Sequence, residues 1–370
     1  MALHIGLISG TSTDAVDAAL VDVNPDRVEL ITCHSEPIPE SLASALRSVI
    51  DNRLIDRSAF WQLDVRVGEL FARAARALLD KADVDAAEVR AIGSHGQTVF
   101  HAADAEFPCS AQIGDPNIIA ERTGITTIAD LRRRDLAAGG QGAPLAPAFH
   151  AAVFRTADHD RVVLNIGGIG NLTLLPADDS LPIIGFDTGP GNTLMDVWAN
   201  RIRGVAMDAD GAWARSGRCR QRLLELLETE PYFALAPPKS TGRELFNLDW
   251  LDGNLARLGE KVAPEDVQRT LCELTAASIV AAIEAHAPTT REVLVCGGGV
   301  HNSLTMERLA ERLQRLDVRS TQSIGFDPDW VEAAAFAWLA ARTLDGMPGN
   351  LPTVTGATHA VILGGIYAGS

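Results

Sequence analysis

Two short stretches, Ser9-Gly10-Thr11-Ser12-Thr13-Asp14 and Asn165-Ile166-Gly167-Gly168-Ile169-Gly170-Asn171, each lie between two apolar runs of the sequence. The first is flanked by residues 3–8 and 15–23, and the second by two similar runs. The flanking runs suit extended strands, and the polar, glycine-containing stretches suit the turns that join them. The sequence therefore predicts one strand–turn–strand unit in each half of the chain.

Both turns have the composition of a phosphate-binding turn. Glycine allows positive φ and lets a ligand approach with no Cβ in the way, while turn N–H groups and Ser or Thr hydroxyls can donate to phosphate oxygens. A carboxylate such as Asp14 would repel phosphate, so we expect it to act through a divalent cation, Mg²⁺, or through its water shell. Either turn alone could equally be an ordinary tight hairpin. The presence of one in each half favours phosphate binding.

The glycine motifs of the better-known nucleotide folds are absent from the sequence. The chain contains neither GxxxxGK[ST] nor a GxGxxG that follows a strand, so it does not resemble a P-loop or Rossmann protein. A phosphate hairpin in each half instead resembles the duplicated architecture of actin, the sugar kinases and Hsp70. That resemblance implies an α/β fold of two similar ribonuclease H-like domains, with ATP in the cleft between them.

Length and charge limit the class of protein. At 370 residues the chain is longer than one hydrophobic core usually supports, so two domains are expected. Its 46% hydrophobic and 22% charged residues are ordinary for a globular protein. The formal net charge of −16 argues against nucleic-acid and anionic-membrane partners. An anionic substrate would need local cations, and the obvious cluster is Arg132, Arg133 and Arg134.

Cysteine usage and hydropathy favour a reduced, cytoplasmic protein. The five cysteines, at positions 33, 109, 219, 272 and 296, are odd in number and lack CxxC spacing, which argues against a disulfide framework or a zinc site. The first residues lead straight into a strand without a basic and apolar leader. The longest apolar helix candidates, near 274–283 and 333–341, are too short to span a bilayer.

In the first half, periodicity predicts a third strand at 28–33 and helices at 41–50 and 58–81. A buried strand at 89–93 is expected to end at the polar stretch 94–98, because open α/β sheets place ligand groups at the carboxyl ends of strands.

The second half repeats this plan. Strands at 161–166, 171–176 and 182–186 are followed by a Gly-Pro-Gly turn that starts a helix, which places Asp187 at a strand end. A later strand at 292–296 ends at three glycines.

The segments 136–160 and 343–356 are rich in Gly, Pro or Ala and predict the domain junctions. We expect domain I to comprise residues 1–150 plus 351–370, and domain II to comprise residues 151–350. The chain end near 360–364 is expected to return to domain I as a terminal strand or a helix tail.

Eight motifs, which run in order over essentially the whole chain, together resemble the anhydro-N-acetylmuramic acid kinase family. They are SGTSTDAVD at 9–17, GSHGQT at 93–98, QIGDP at 112–116, RRRDLAAGGQGAPLAPAFH at 132–150, LNIGGIGN at 164–171, GFDTGPGN at 185–192, PKSTGRELFN at 238–247 and CGGGVHN at 296–302.

The resemblance implies an unusual phosphoryl transfer in peptidoglycan recycling. The family's substrate, 1,6-anhydro-N-acetylmuramic acid, is a small bicyclic amino sugar with no free 6-hydroxyl. The enzyme must open the anhydro bridge with water and phosphorylate O6 from ATP, which gives N-acetylmuramate 6-phosphate and ADP. This chemistry requires a base beside the anomeric carbon and an electrostatic clamp on the triphosphate. The resemblance also implies a homodimer.

Three catalytic residues are carried over from the family motifs. Asp187 corresponds to the catalytic aspartate, with a helix-capping role as its alternative. Arg134 corresponds to a substrate-binding arginine whose fork suits sugar oxygens, the lactyl carboxylate or the moving phosphoryl group, with a surface charge run as its alternative. Glu332 corresponds to an acidic residue of the sugar cleft, or is a first-turn carboxylate that complements a helix dipole.

His95 and Gln97 are expected to line the sugar side of the cleft, although His95 could merely satisfy a backbone carbonyl. Lys239 lies in a family motif, but its role does not follow from the sequence. The residues expected to bind ATP are Gly10, Thr11, Ser12, Thr13, Asp14, Ala15, Val16 and Asp17 in the first turn, Gly167, Gly168 and Asn171 in the second, and Gly297, Gly298 and Gly299 in an adenosine-binding turn.

One departure from the family pattern falls in the first turn, where Ala15 replaces a glycine. If this position needed positive φ, Ala15 would cost about 1 kcal/mol or somewhat more. The rest of the motif remains, so we expect altered nucleotide affinity and retained activity.

A conventional sugar or amino-sugar kinase of the same superfamily is the closest alternative function. A sugar sensor without catalysis would lack the base or the phosphate hairpin, and the sequence retains both.

Overall fold

The computed structural model describes residues 2–10, 13–25, 27–51 and 56–370. The chain forms two compact units, unit 1 (Met1–Val153 with Trp330–Ser370) and unit 2 (Phe154–Asp329). Residues 330–350, which the sequence assigned to the second domain, group with unit 1 because the helix they contain packs on its sheet. Two predicted ATP-binding residues, Thr11 and Ser12, lie outside the described residues.

The strands and helices of unit 1 come from both ends of the chain. They are β1 (Leu3–Ser9), β2 (Ala15–Asn24), β3 (Arg27–Pro37), α1 (Glu40–Ile50), α2 (Arg57–Ala82), β4 (Val89–Ala102), β5 (Cys109–Ile113), α3 (Pro116–Thr123), β6 (Thr127–Ala129), α4 (Arg133–Ala137) and α5 (Ala146–Phe154), followed after unit 2 by α12 (Val331–Leu344), α13 (Pro352–Thr355) and β12 (Gly365–Tyr367).

Unit 2 has five strands and the remaining α-helices of the described chain. Its elements are β7 (Arg161–Ile166), β8 (Ile169–Leu175), β9 (Ile184–Pro190), α6 (Thr193–Arg203), α7 (Ala212–Ser216), α8 (Gln221–Leu227), α9 (Leu248–Leu258), α10 (Pro264–His286), β10 (Glu292–Cys296), α11 (Ser303–Arg312) and β11 (Asp317–Ser320), with 3₁₀ turns that include Pro231–Ala234 and Gly298–His301.

The two sheets share one strand order. In unit 1 the order is β3-β2-β1-β4-β6-β12, with β5 paired to β4, and in unit 2 it is β9-β8-β7-β10-β11. In each sheet, the first three strands along the chain pair antiparallel, each with the next. The fourth strand pairs in parallel with the first, and the fifth strand in the order pairs in parallel with the fourth. This is the ribonuclease H-like arrangement, so the predicted fold class is confirmed. The chain end returns to unit 1, where β12 pairs antiparallel with β6.

The amphipathic helices of unit 1 form where the periodicity predicts them. Helix α2 begins after Asp56, whose carboxylate accepts the N–H groups of Ser58 and Ala59. Its apolar face joins the core cluster with β1, β2 and β4. In unit 2 the apolar residues of β7, β8 and β10 pack with helix α10. Among the described residues, no helix is long and apolar enough to cross a membrane.

Two strands continue further than the sequence predicts. Strand β4 runs on through Ala102, so residues 94–98 lie within a strand and not in a loop after it. The strand can continue because, beyond its pairing with β1, it pairs with β5 from Gln97 onward. Strand β9 likewise includes Asp187 and ends at Pro190. The N-cap of helix α6 is Asn192, so the helix-capping alternative for Asp187 is wrong.

Helix α12 lies directly on two glycines of the unit 1 sheet. Gly6 of β1 and Gly93 of β4 are paired in register. A Cβ on Gly6 would lie 1.8 Å from the carbonyl oxygen of Ala333, and one on Gly93 would lie 1.9 Å from that of Phe336. The helix backbone therefore occupies the space where side chains would stand, and the alanine-rich sequence of α12 permits this approach.

We expect Gly6→Ala to lower the free energy of unfolding by about 3 kcal/mol or more, because the added methyl group meets helix backbone that cannot move aside. Urea denaturation measures this change. Gly253→Ala is the matched control, since nothing lies within 4 Å of its added Cβ and it sits inside helix α9. The control should gain up to about 1 kcal/mol from helix propensity. Equal stability of the two variants would contradict the proposed packing constraint.

Candidate active site

Asp187 stands in register with the second glycine turn of unit 2. The β7–β8 hairpin pairs Asn165 with Asn171, and the β8–β9 pairing sets Asn171 opposite Asp187. Residues directly opposite one another in neighbouring strands present their side chains on the same face. The sheet therefore places a carboxylate beside the two asparagines that bracket the turn.

The carboxylate of Asp187 is held in a largely desolvated setting. The backbone N–H of Thr241 donates to its Oδ2 at 3.0 Å. Burial raises the pKa of Asp187 to about 6, the N–H of Thr241 opposes this rise, the charge of Glu244 adds to it, and the ammonium of Lys239 opposes it. A carboxylate with this pKa is largely ionised at neutral pH and can still accept a proton, as a general base requires.

The second turn contains glycines that internal packing does not require. A Cβ on Gly167 would have its nearest neighbour at 3.6 Å, and one on Gly168 at 3.8 Å, both ordinary contact distances. Neither glycine has positive φ. Of the two reasons for glycine that the sequence offered, positive φ therefore does not apply. The carbonyls of both accept N–H groups from the loop that enters helix α6. A Cβ would therefore fit at both positions without a clash, and the reason for glycine that remains is the close approach of a ligand.

The glycine turn after β10 packs against the same hairpin. Gly297 has a φ of +80°, and a Cβ there would lie 2.2 Å from Oδ1 of Asn165. A Cβ on Gly299 would lie 2.3 Å from the side chain of Ile166, whereas nothing lies within 4 Å of one on Gly298. Gly297 and Gly299 are therefore required by packing, and Gly298 presents an open surface. Unit 2 thus brings the predicted adenosine-binding turn next to the predicted phosphate turn.

In the first turn, in unit 1, the residue with a left-handed backbone conformation is Thr13 and not Ala15. Thr13 has a φ of +54°, which is unusual for a β-branched residue, and its N–H donates to the carbonyl of Gly10 at 3.3 Å. Ala15, where the family has glycine, is the first residue of β2 and does not have positive φ. The penalty considered for Ala15 therefore does not arise, because the turn is already complete when the chain reaches it.

The remaining predicted residues of the first turn differ in accessibility. Asp14 is exposed. The side chain of Val16 is fully buried in the sheet, and a carboxylate oxygen of Asp17 accepts from the hydroxyl of Ser35 at 2.8 Å. Their assignment to ATP binding stays a prediction.

The three consecutive arginines of unit 1 have three different environments. Arg133 pairs with Asp130 at 2.6 Å. Arg132 donates from Nη1 to the carbonyl of Gly142 at 2.8 Å and from Nε and Nη2 to Nε2 of His95, at 3.0 and 2.7 Å. Arg134 is exposed, and its guanidinium makes no hydrogen bond or ion pair with the described residues. Of the three, Arg134 therefore has the side chain left for a ligand.

His95 and Gln97 are buried and engaged with protein groups. With Nε2 of His95 accepting from Arg132, Nδ1 carries the proton and donates to the carbonyl of Gly96 at 3.0 Å. Burial and the charge of Arg132 hold the pKa of His95 well below its usual value, so the ring is neutral. The side-chain oxygen of Gln97 accepts the hydroxyl of Ser9 at 2.7 Å, just before the first turn. Sugar binding by either residue stays a prediction.

Glu332 is exposed in the first turn of α12, on a helix that is otherwise almost wholly buried. Burial lowers the pKa of Arg132 to about 10, while the charges of Glu332 and Asp135 oppose this change. Unit 1 thus groups Glu332, Arg132 and His95 into one electrostatic cluster. The sequence indicated Arg132 only as a member of the cationic cluster, and its pairing with His95 was not predicted because the two residues lie 37 positions apart.

The described residues contain no group of three His, Cys, Asp or Glu side chains that could hold a metal ion by themselves. Asp14, an exposed residue, still fits Mg²⁺ in the manner expected, because this ion commonly takes one or two carboxylates and completes its shell with phosphate oxygens and water.

Known proteins resemble this chain over nearly its whole length. The family model described as "Anhydro-N-acetylmuramic acid kinase" matches residues 2–369. Anhydro-N-acetylmuramic acid kinase of Coxiella burnetii is 50% identical over 369 residues, which cover 99% of this chain and 97% of that protein. The Xanthomonas campestris pv. campestris protein of the same name is 52% identical over 372 residues, with the same coverage. A solved ROK family glucokinase from Streptomyces griseus, in complex with glucose and AMPPNP, has a TM-score of 0.39 at 13% identity and covers 92% of this chain and 99% of its own.

We expect Gly168→Ala to raise the KM for ATP at least about tenfold, because its Cβ would stand in the space open to phosphate. The free energy of unfolding should change by about 1 kcal/mol or less, since no protein atom opposes the methyl group. Steady-state kinetics and urea denaturation measure the two quantities. Gly253→Ala should leave the KM unchanged. An unaltered KM in Gly168→Ala would show that phosphate does not approach this turn.

Proposed function

The chain belongs to the anhydro-N-acetylmuramic acid kinase family, and on that basis we propose how its residues perform the family's phosphoryl transfer. The enzyme is a phosphotransferase that uses ATP and acts on 1,6-anhydro-N-acetylmuramic acid. It opens the anhydro bridge with water and phosphorylates O6, giving N-acetylmuramate 6-phosphate and ADP in peptidoglycan recycling. The observation that carries the proposed mechanism is the half-buried Asp187, with its pKa raised to about 6, in register with the second glycine turn.

In this mechanism Asp187 is the general base. Its carboxylate takes a proton from a water molecule as the water oxygen forms a bond to C1 of the sugar. The C1–O6 bond breaks and its electron pair passes to O6. O6 then bonds to the γ-phosphorus, the bond from that phosphorus to the β-phosphate oxygen breaks, and ADP leaves. The proton on Asp187 returns to solvent, which restores the base.

The glycine turns of unit 2 provide the proposed nucleotide contacts. Gly167 and Gly168 lack a Cβ that packing would allow, which suits close approach of phosphate, and Asn171 lies beside Asp187 in the sheet. Gly298 presents an open backbone surface for the adenosine part. A base opposite Asn171 is thereby close to the turn assigned to the transferred phosphate, as coupled bridge opening and phosphoryl transfer require.

The proposed sugar contacts of unit 1 come from Arg134 and Glu332. The guanidinium of Arg134 suits the lactyl carboxylate, and the carboxylate of Glu332 suits sugar hydroxyls. We assign His95 a supporting role, because its ring holds Arg132. Gln97 supports the first turn in the same way through Ser9.

We also propose Mg²⁺ as the metal cofactor, held by Asp14 directly or through water. When bound, the ion neutralises charge on the phosphate oxygens. In this proposal the first turn supplies the carboxylate of Asp14 to the ion and backbone N–H groups to the phosphate oxygens. We further propose a homodimer, from the family resemblance, and a cytoplasmic location, from cysteine usage and hydropathy. Light scattering of the purified protein tests the dimer.

We expect Asp187→Asn to lower kcat by about two to four orders of magnitude while the protein stays folded, since this is the usual contribution of a positioned base. In the parent enzyme, kcat/KM should fall as the pH drops below about 6, because the base works only when deprotonated. A coupled ADP assay across pH measures both. Asp196→Asn is the matched control, because burial also raises the pKa of Asp196 to about 6. The fall of kcat/KM at low pH is the acidic limb of the pH profile. If Asp196→Asn abolished this limb and Asp187→Asn did not, the assignment of the base would be wrong.

Solvent labelled with ¹⁸O tests which bond water attacks. We expect the label on the anomeric oxygen of the product, with the original bridging oxygen kept in the phosphate ester, as mass spectrometry of the fragmented product can show. Label in the C6–O–P bridge would mean that water attacked C6. Free N-acetylmuramic acid is assayed in parallel, and a comparable rate with it would favour a conventional amino-sugar kinase.

A further inference from the structure

We infer that Lys239 and Tyr232 are positioning residues for Asp187, which they hold through a closed chain of backbone and side-chain hydrogen bonds. This inference rests on the proposed role of Asp187 as the base. Neither residue is assigned to the reaction by the sequence, and both lie more than forty positions from Asp187 along the chain. Tyr232 belongs to the 3₁₀ turn at Pro231–Ala234, and Lys239 follows it in a segment without regular secondary structure.

The three residues bond to one another in a circuit. The backbone N–H of Asp187 donates to the carbonyl of Lys239 at 3.1 Å. The ammonium of Lys239 donates to the carbonyls of Tyr232 and Phe233, each at 3.2 Å, and lies 4.7 Å from the ring centroid of Tyr232. The hydroxyl of Tyr232 donates to the carbonyl of Asp187 at 2.8 Å. Each member of the circuit therefore restrains the next.

The circuit controls the hydrogen bond that the carboxylate receives. Thr241, whose N–H donates to Oδ2 of Asp187, lies two residues after Lys239 in the same irregular segment. Strand β9 pairs with β8. The segment is tied to β9 by the carbonyl of Lys239, which accepts the N–H of Asp187, together with the bond from Thr241. If the ammonium were lost, the carbonyl of Phe233 would lose this donor and that of Tyr232 would keep the N–H of Leu235. The segment that carries Thr241 would then be held less firmly.

The ammonium also acts on the carboxylate through its charge. The charged groups that face Asp187 are Lys239, which lowers its pKa, and Glu244, which raises it, while the phenol of Tyr232 stays neutral because burial raises its own pKa. His286 is nearby but neutral, since burial and the charge of Lys239 both lower its pKa. Removal of Lys239 therefore leaves the N–H of Thr241 as the group that opposes Glu244, and it shifts Asp187 towards its protonated form.

The test compares Lys239→Met, Lys239→Arg and Tyr232→Phe with two matched controls, Lys261→Met at an exposed position and Tyr367→Phe in unit 1. The readouts are kcat and kcat/KM for the anhydro sugar from about pH 5 to pH 9, KM for ATP, and thermal unfolding.

We expect Lys239→Met to lower kcat about tenfold at pH 8 and by about a further tenfold at pH 6, because the acidic limb moves to higher pH. Lys239→Arg keeps the charge and should return the limb towards its original position. Tyr232→Phe should lower kcat about tenfold with the limb in place, since its hydroxyl bonds the backbone and not the carboxylate. Should Lys239→Met not fold, the other two variants decide the question.

Activities of Lys239→Met and Tyr232→Phe equal to their controls, with an unmoved acidic limb, would overturn the inference. Asp187→Asn, assayed in the same series, separates this failure from that of the proposed function. An inactive Asp187→Asn beside unaffected Lys239 and Tyr232 variants removes only the positioning role. A fully active Asp187→Asn removes the base assignment and the positioning role with it.

Discussion

The contact between helix α12 and the paired glycines Gly6 and Gly93 organises unit 1. A helix backbone this close to a sheet leaves no room for side chains at the crossing point, so the two strands must carry glycine there. The exposed start of the same helix carries Glu332, whose charge acts on Arg132. The packing of the core thereby determines where the acidic group of the electrostatic cluster stands.

Unit 2 meets two opposed requirements at Asp187. A base needs a pKa high enough to accept a proton, which burial provides, and low enough to remain ionised near neutral pH, which a hydrogen bond and a nearby cation provide. Strand pairing supplies the position beside the hairpin. The hydrogen bond and the cation come from the segment around Lys239 and Thr241, which is adjacent only in the folded chain. The same arrangement gives a physical reason for the PKSTGRE motif.

Local patterns predicted much of this structure. Helices α1 and α2 and both hairpins follow from apolar periodicity and turn composition, which act over a few residues. The continuation of β4 through His95 depends on pairing with β5, and periodicity carries no information about a partner strand. The bonds of Arg132 to His95 and of Tyr232 to Asp187 join residues distant in sequence, so no local pattern indicates them. The left-handed residue of the first turn is Thr13, whereas the comparison with the family pattern had directed attention to Ala15.

The discontinuity of unit 1 has a consequence for synthesis on the ribosome. Unit 2 is one continuous segment, whereas unit 1 needs residues from both ends of the chain. Strands β1 and β4 emerge early, but the helix that covers Gly6 and Gly93 is translated only after all of unit 2. Domains usually complete folding in the order of their synthesis. Here the segment that begins second can complete its core first, and the amino-terminal sheet keeps one face uncovered until translation is nearly finished.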